Sequence, residues 1–133
     1  MKDHNYYDTF IEAAEDCAAA QGTVPQPYRG KGTIAMTHYR LLAQPYARTQ
    51  QEVLWLTETQ RTGQDPADDA AQEAFFAPGR ACLRTSPLTK QYGWGIHFDS
   101  QGKAALVGAE TAEYQRFKED PQLKHIRGMR SKK

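Results

Sequence analysis

The sequence lacks the features of a membrane protein or a disulfide-rich secreted protein. No apolar run approaches the roughly 20 residues that a membrane helix needs. The first residues contain no apolar stretch of the kind that a secretory signal requires, so we expect no export by that route. The chain has two cysteines, Cys17 and Cys82, too few for a disulfide framework. We therefore expect a cytoplasmic protein without membrane contact and with reduced thiols.

The common signatures of metal sites and hydrolases are also missing. The four histidines are scattered, with no pair at i and i+4, and the sequence has no CxxC, HExxH or GxSxG. The loop over residues 30–33 begins like a phosphate-binding loop, but residue 25, where such a loop needs glycine, is Pro25. We expect neither a metal nor a cofactor.

The length and composition are those of one globular domain. A chain of 133 residues buries enough surface to fold without a disulfide or metal, and it contains 7 Tyr, 5 Phe and 2 Trp for a core. We expect a single domain over residues 1–133. Nothing in the sequence indicates its oligomeric state.

Charge is divided unevenly along the chain. Residues 1–79 hold 6 Lys/Arg against 11 Asp/Glu, a balance of −5, whereas residues 80–133 hold 11 against 5, a balance of +6. A basic tail over about residues 124–133 concentrates the positive charge. Such a tail is suited to an acidic partner or a nucleic acid, and the alternative is a solvated terminus. The net charge of only +1 makes nucleic acid the weaker hypothesis.

Local signals predict several short helices. Thr33 is a suitable N-cap for a helix that stops before Pro45, and Thr49 to Glu52 forms a capping box for a helix closed by Gly63. A strand over residues 53–57 is the alternative for part of that helix. Another helix is predicted to begin at Asp65, with Ala70, Ala71, Ala74 and Phe75 as its buried stripe, and the last to run from Thr111 to Asp120.

A β-hairpin is predicted over residues 92–98 and 103–108. Alternation assigns Tyr92, Trp94, Ile96 and Phe98 to the core face, and a four-residue loop would pair His97 with Ala104. Residues 9–17 fit either a helix or a strand, and we favour the strand. The predicted fold is α+β: one compact domain with several short helices packed around the antiparallel hairpin, joined by an N-terminal strand.

The opposite face of the hairpin suggests a binding site. Gly93, Gly95 and His97 leave it almost free of large side chains, which allows a ligand to approach the backbone. We predict a shallow cleft there, with His97 as acid, base or hydrogen-bond donor. The cations Arg84 and Lys90 would bind an anionic group, and Tyr92 and Trp94 would form a wall. The alternative is a helix packed onto the glycines, with a structural role for His97.

Cys82 is the second candidate for chemistry. If His97 lies beside Cys82, it would lower the pKa of the thiol, and the flanking Arg80 and Arg84 would help to keep the thiolate charged. Cys82 would then be a nucleophile. The alternative is a buried structural cysteine, since free cysteine is often fully buried. Nothing in the spacing of residues 82 and 97 shows that they meet.

Two stretches resemble a known family. One runs over residues 5–12 and on to Cys17, and the other over residues 82–97; the end of the chain, residues 123–133, also fits. Together they resemble a family of small bacterial proteins classed only as a domain of unknown function. The resemblance covers nearly the whole chain and implies a bacterial, single-domain protein, but it implies no activity.

Three functions follow from these patterns. The first is a module that binds a small anionic molecule beside the hairpin, through Arg84, Lys90, Tyr92 and Trp94. The second is a small enzyme that uses His97, with or without Cys82. The third is an interaction protein whose basic tail meets an acidic partner or nucleic acid.

Overall fold

The fold is organised around a five-stranded mixed sheet. A computed structural model describes residues 3–79 and 82–130. The strands follow the order β2-β4-β3-β1-β5, and β1 and β5 are parallel while the other neighbours are antiparallel. Their bounds are β1 Thr9–Glu12, β2 Arg48–Thr49, β3 Trp94–Phe98, β4 Lys103–Gly108 and β5 Lys124–Arg127.

Five α-helices in the described residues complete an α+β domain, as predicted. Their bounds are α1 Ile34–Leu42, α2 Gln50–Thr62, α3 Asp69–Phe76, α4 Pro87–Gln91 and α5 Ala112–Glu119, with a 3₁₀ helix over Leu83–Thr85. The predicted caps are confirmed: the Thr33 hydroxyl accepts from the backbone N–H of Met36, and Thr49 and Glu52 form the capping box of α2. Residues 53–57 therefore belong to a helix.

The third helix differs from the prediction. It begins at Asp69 and is capped by Asp68, whose carboxylate accepts from the N–H of Ala71. Asp65 instead closes a turn by accepting from the N–H of Ala67. The helix buries Phe76. Of the predicted stripe, Ala70 and Ala74 are exposed, whereas Ala71 and Phe75 are half-buried and the Phe75 ring packs against Trp55 of α2.

The predicted hairpin is present but shifted. Ile96 and Phe98 are fully buried on the core face, as alternation indicates. The first strand begins only at Trp94, because Gly93 has a left-handed φ of +77°. His97 pairs with Ala105 rather than Ala104, since five residues, 99–103, lie between the paired residues Phe98 and Ala104 instead of the predicted four.

Both ends of the chain contribute to the sheet. Residues 9–12 form a strand, as favoured, and this strand pairs with β3 on one side and β5 on the other. β5 covers the first part of the predicted basic tail, so residues 124–127 form an edge strand of the sheet, in which Lys124, His125 and Arg127 remain exposed.

The sheet has two differently covered faces. On the first, which we call the helix face, α1, α2 and α4 pack against Ile11, Ile96 and Phe98 to form the main core. On the second, the α5 face, Phe10 meets the rings of Tyr114 and Phe117 on α5. Neighbouring residues of β3 alternate between these faces, so Trp94, Ile96 and Phe98 lie on the helix face and Gly95 and His97 on the α5 face.

Candidate functional site

The glycine face of the hairpin is covered, so the predicted open cleft is wrong. A Cβ atom at Gly95 would lie 2.8 Å from both Phe10 Cζ and Tyr114 Cε2. A Cβ atom at Gly93 would overlap the backbone carbonyl of Gln21. The glycines make room for the protein's own aromatic rings and backbone rather than for a ligand.

His97 is held by packing within this cover. Its ring stacks on that of Phe117, with centroids 4.0 Å apart and an interplanar angle of 14°. Its Nδ1 lies 2.8 Å from the Tyr46 hydroxyl. Burial lowers the pKa of His97, although nearby carboxylates, led by that of Asp99, act against this shift. His97 is therefore a largely neutral ring at pH 7 with contacts on its face and at its edge.

The four predicted ligand residues do not gather around His97. Trp94 lies on the helix face, where its indole N–H donates to the Thr23 carbonyl at 2.9 Å. Tyr92 packs against the main core. The Arg84 Nε donates to the Arg127 carbonyl at 2.8 Å, beside the end of β5, and Lys90 lies in the last turn of α4. These side chains therefore do not form the predicted pocket with the imidazole.

The predicted pair of Cys82 and His97 is also wrong. The Tyr6 hydroxyl donates to Cys82 Sγ at 3.0 Å, and the Tyr6 ring packs edge-on against Phe98, with centroids 5.4 Å apart. Phe98 points to the helix face, whereas His97 points to the α5 face. The sheet thus separates the thiol from the imidazole. Arg80, which was expected to help the thiol, lies outside the described residues.

Cys82 is positioned by the first residue of α2. Gln50 is only 3% exposed, and its side chain makes two hydrogen bonds. Its Oε1 accepts from the backbone N–H of Leu83 at 2.8 Å, while its Nε2 donates to the His4 carbonyl at 2.7 Å. One buried amide therefore holds both the cysteine loop and the segment before β1, which brings Tyr6 to Cys82.

A cavity of about 250 Å³ opens beside the thiol, and we call it the Cys82 cavity. Its walls come from the segment before β1, from α2 and from the end of α3, and the lining residues are Asp3, His4, Asn5, Tyr6, Gln50, Leu54, Phe76 and Cys82. The His4 ring stacks on Phe76 at 4.6 Å. A thiol, a phenol, an imidazole and a carboxylate therefore share one small space.

The raised pKa of Tyr6 makes its phenol a hydrogen-bond donor. Burial, followed by the hydrogen bond to Cys82, raises the pKa of Tyr6 well above its usual range, and the nearby positive charge of Arg84 only partly opposes this. The phenol therefore keeps its proton at neutral pH and acts as a donor rather than a base. Its acceptor is the sulfur, which in the thiolate form accepts a charge-assisted hydrogen bond.

The pattern of one protein family matches residues 1–133, the whole chain, and this family is described only as a family of unknown function, DUF6157. The chain belongs to the DUF6157 family. No curated protein and no solved structure matches the sequence.

In this DUF6157 protein, the two stretches that carried the resemblance meet at the candidate site. Tyr6 lies in the first stretch and Cys82 in the second, and β1 pairs with β3 beside them. Residues 3–79 and 82–130 contain no group of three or more His, Cys, Asp or Glu side chains that would hold a metal ion. No helix in the same residues is long and apolar enough to cross a membrane.

Sequence reasoning found Cys82 but missed its partners. Tyr6 carries no motif and lies 76 residues away. His4 was considered only as a metal ligand, and Gln50 only as part of a capping-box sequence. The available signal was the resemblance, which singled out both stretches without showing that they touch.

Proposed function

We propose that this DUF6157 protein is a small enzyme whose nucleophile is the Cys82 thiolate and whose substrate enters the Cys82 cavity. The observation that carries the proposal is the 3.0 Å contact from the Tyr6 hydroxyl to Cys82 Sγ at the wall of that cavity. A buried structural cysteine needs neither a phenol donor nor an adjoining space. A reactive cysteine uses both, one to stabilise the thiolate and the other to admit a substrate.

The chemistry is addition of sulfur to an electrophilic carbon. His4 also lines the cavity, and its imidazole would accept the thiol proton as the general base. Cys82 Sγ then forms a bond to the substrate carbon while the π bond between that carbon and its neighbouring atom breaks, and the electron pair of the π bond moves to the neighbouring atom. Tyr6 moves its hydrogen bond from the sulfur to the substrate atom that gains negative charge, which is an oxygen when the carbon belongs to a carbonyl group. Because the cavity is below the roughly 300–1,000 Å³ of typical ligand sites, the substrate is a small molecule.

The proposal keeps the expectation of a small anionic ligand, now bound at the Cys82 cavity rather than beside the hairpin. Support comes from Arg84, whose positive charge acts on Tyr6 and so extends to this site. A bacterial cytoplasm is the proposed location, because a reducing compartment keeps thiols free and both cysteines are free.

The test compares the two cysteines of the same molecule. Cys17 is also half-buried, but its thiol donates to the Ala19 carbonyl at 3.6 Å, and no tyrosine hydroxyl among residues 3–79 and 82–130 donates to its sulfur. We expect iodoacetamide at pH 7 to alkylate Cys82 faster than Cys17, as followed by peptide mass spectrometry. Tyr6→Phe should slow alkylation of Cys82 about tenfold, the effect of losing a hydrogen bond to a charged group. Tyr28→Phe, which changes a phenol on the surface, is the matched control.

The anionic preference has its own measurement. Iodoacetate carries a carboxylate where iodoacetamide carries a neutral amide, so the ratio of their rates reports local charge. We expect this ratio to be higher at Cys82 than at Cys17, and to fall in Arg84→Gln. Alkylation of Cys82 no faster than Cys17 and unchanged by Tyr6→Phe would refute the nucleophile. Equal ratios at the two cysteines would refute the anionic substrate alone.

A further inference from the structure

A second cavity, of about 450 Å³, opens between α1 and α2, and we call it the α1–α2 groove. Its volume falls within the range of small-molecule sites. The groove and the Cys82 cavity are lined by different parts of α2. Thr57, Gln60 and Arg61 line the groove, whereas Gln50 and Leu54 line the Cys82 cavity. The two sites are therefore separate, and evidence for one does not depend on the other.

The charged groups of the groove are of one sign. Arg40 projects from α1 and Arg61 from α2, and none of the described residues that line the groove is acidic. Arg61 pairs with Glu58 of its own helix at 2.8 Å, but the arginine is 61% exposed, so this ion pair is weak and can be exchanged for a ligand. The described ion pairs include none at Arg40.

The sequence around α1 is also basic. Residues 17–51, which include the whole of α1, contain no Asp or Glu but hold Arg29, Lys31, Arg40 and Arg48. This segment lies within the half of the chain that is acidic on balance. The positive charge of this segment is therefore local, and the net charge of −5 over residues 1–79 does not reveal it.

Neutral side chains orient the guanidinium group and provide an apolar surface. The Arg40 Nη2 donates to Gln60 Oε1, and the Gln60 Nε2 donates to Thr37 Oγ1 at 3.4 Å. These two hydrogen bonds hold the Arg40 side chain in place without neutralising its charge. Less side-chain entropy is therefore lost when a ligand binds. Ile34 is 50% exposed at the groove, and Met36 lines it too, so a ligand with an apolar part finds a matching wall.

We propose that the α1–α2 groove binds a small organic oxyanion, a carboxylate or phosphate attached to an apolar body. The planar guanidinium groups of Arg40 and Arg61 match the paired oxygens of such groups, and Ile34 and Met36 cover the apolar body. Two arginines from two helices on one cavity favour this ligand over a cation or a neutral molecule. The site is independent of the reaction proposed for Cys82.

The test is a calorimetric titration of the full-length chain with phenyl phosphate and with benzoate. Benzyl alcohol supplies the same ring without charge, and inorganic phosphate supplies the charge without the ring. We expect both aryl anions to bind more tightly than benzyl alcohol or inorganic phosphate. The tighter of the two aryl anions identifies the oxyanion that the groove prefers.

Substitutions assign the binding to the groove. We expect Arg40→Gln to raise the Kd of phenyl phosphate about tenfold, and Arg61→Gln about threefold because Glu58 already shares its charge. Arg116→Gln, on the exposed surface of α5, should leave the Kd unchanged. Absence of binding at millimolar ligand, or an equal loss in all three variants, would overturn the proposal. Cys82→Ser should not alter the titration, so a failed thiol mechanism would leave this result intact.

Discussion

The two faces of the central sheet differ in how completely they are filled by the elements packed on them. On the α5 face, one short helix places the rings of Tyr114 and Phe117 directly over Gly95 and His97, and the space is filled. On the helix face, several helices meet and leave cavities at their junctions. One cavity lies beside Cys82 and another between α1 and α2.

The difference shows why a surface poor in side chains is not necessarily a binding surface. A glycine in a strand admits whatever lies above the sheet, and here that is an aromatic ring of the protein itself. Ligand sites form where packed elements fail to close completely and polar groups converge. By this criterion, the candidate sites lie on the helix face.

The largest expected effect concerns the buried histidine of the helix face. His38 is 5% exposed, and its Nδ1 lies 2.8 Å from the Ser86 hydroxyl. Burial lowers the pKa of His38 from 6.5 to about 4, so between these values the unfolded chain binds the proton more tightly. The free energy of unfolding is therefore highest above pH 6.5. It decreases by about 3 kcal/mol as the pH falls towards 4.

Urea denaturation between pH 7 and 4 measures this loss. We expect His38→Gln to be less stable at pH 7 but to lose much less stability on acidification than the unmodified protein. His125→Gln, which changes an exposed histidine on β5, should retain the original pH dependence. An unchanged slope in His38→Gln would show that the helix face tolerates a buried imidazolium.

The second prediction tests the filled face directly. Gly95→Ala should destabilise the protein by about 2 kcal/mol, because the new methyl group overlaps the Phe10 and Tyr114 rings. On an open face the same change would stabilise the strand slightly, since alanine has less freedom to lose on folding than glycine. The sign of the change in denaturant midpoint therefore distinguishes a filled face from an open one. Gly32→Ala, with no neighbour within 4 Å, is the control and should have little effect.

The third and smallest effect tests the separation of the faces. His97→Ala should lower the unfolding free energy by about 1 kcal/mol, through loss of the Phe117 stack and the Tyr46 contact. It should not alter the alkylation rate of Cys82, because the sheet lies between the two side chains. Slower alkylation in His97→Ala would show that the two faces of the sheet are coupled.

Elements with local signals were predictable from the sequence. The caps at Thr33 and Thr49, the close of α2 at Gly63 and the start of α5 after Thr111 each depend on residues within one or two helical turns. The alternation that buries Ile96 and Phe98 is equally local. The start of α3 was missed because Asp65 and Asp68 are both good caps, and the hairpin register because four- and five-residue turns fit the same residues.

Local sequence signals specify an α+β domain with capped helices and a hairpin, and they identify the family, because these features depend on residues that are neighbours along the chain. Which of the candidate reactive residues faces a cavity depends instead on how distant elements pack. Tyr6 and Cys82 meet across 76 positions, and the ring of Tyr114 reaches Gly95 from a separate helix. Such contacts arise from how whole elements pack, and no spacing of residues along the chain specifies them.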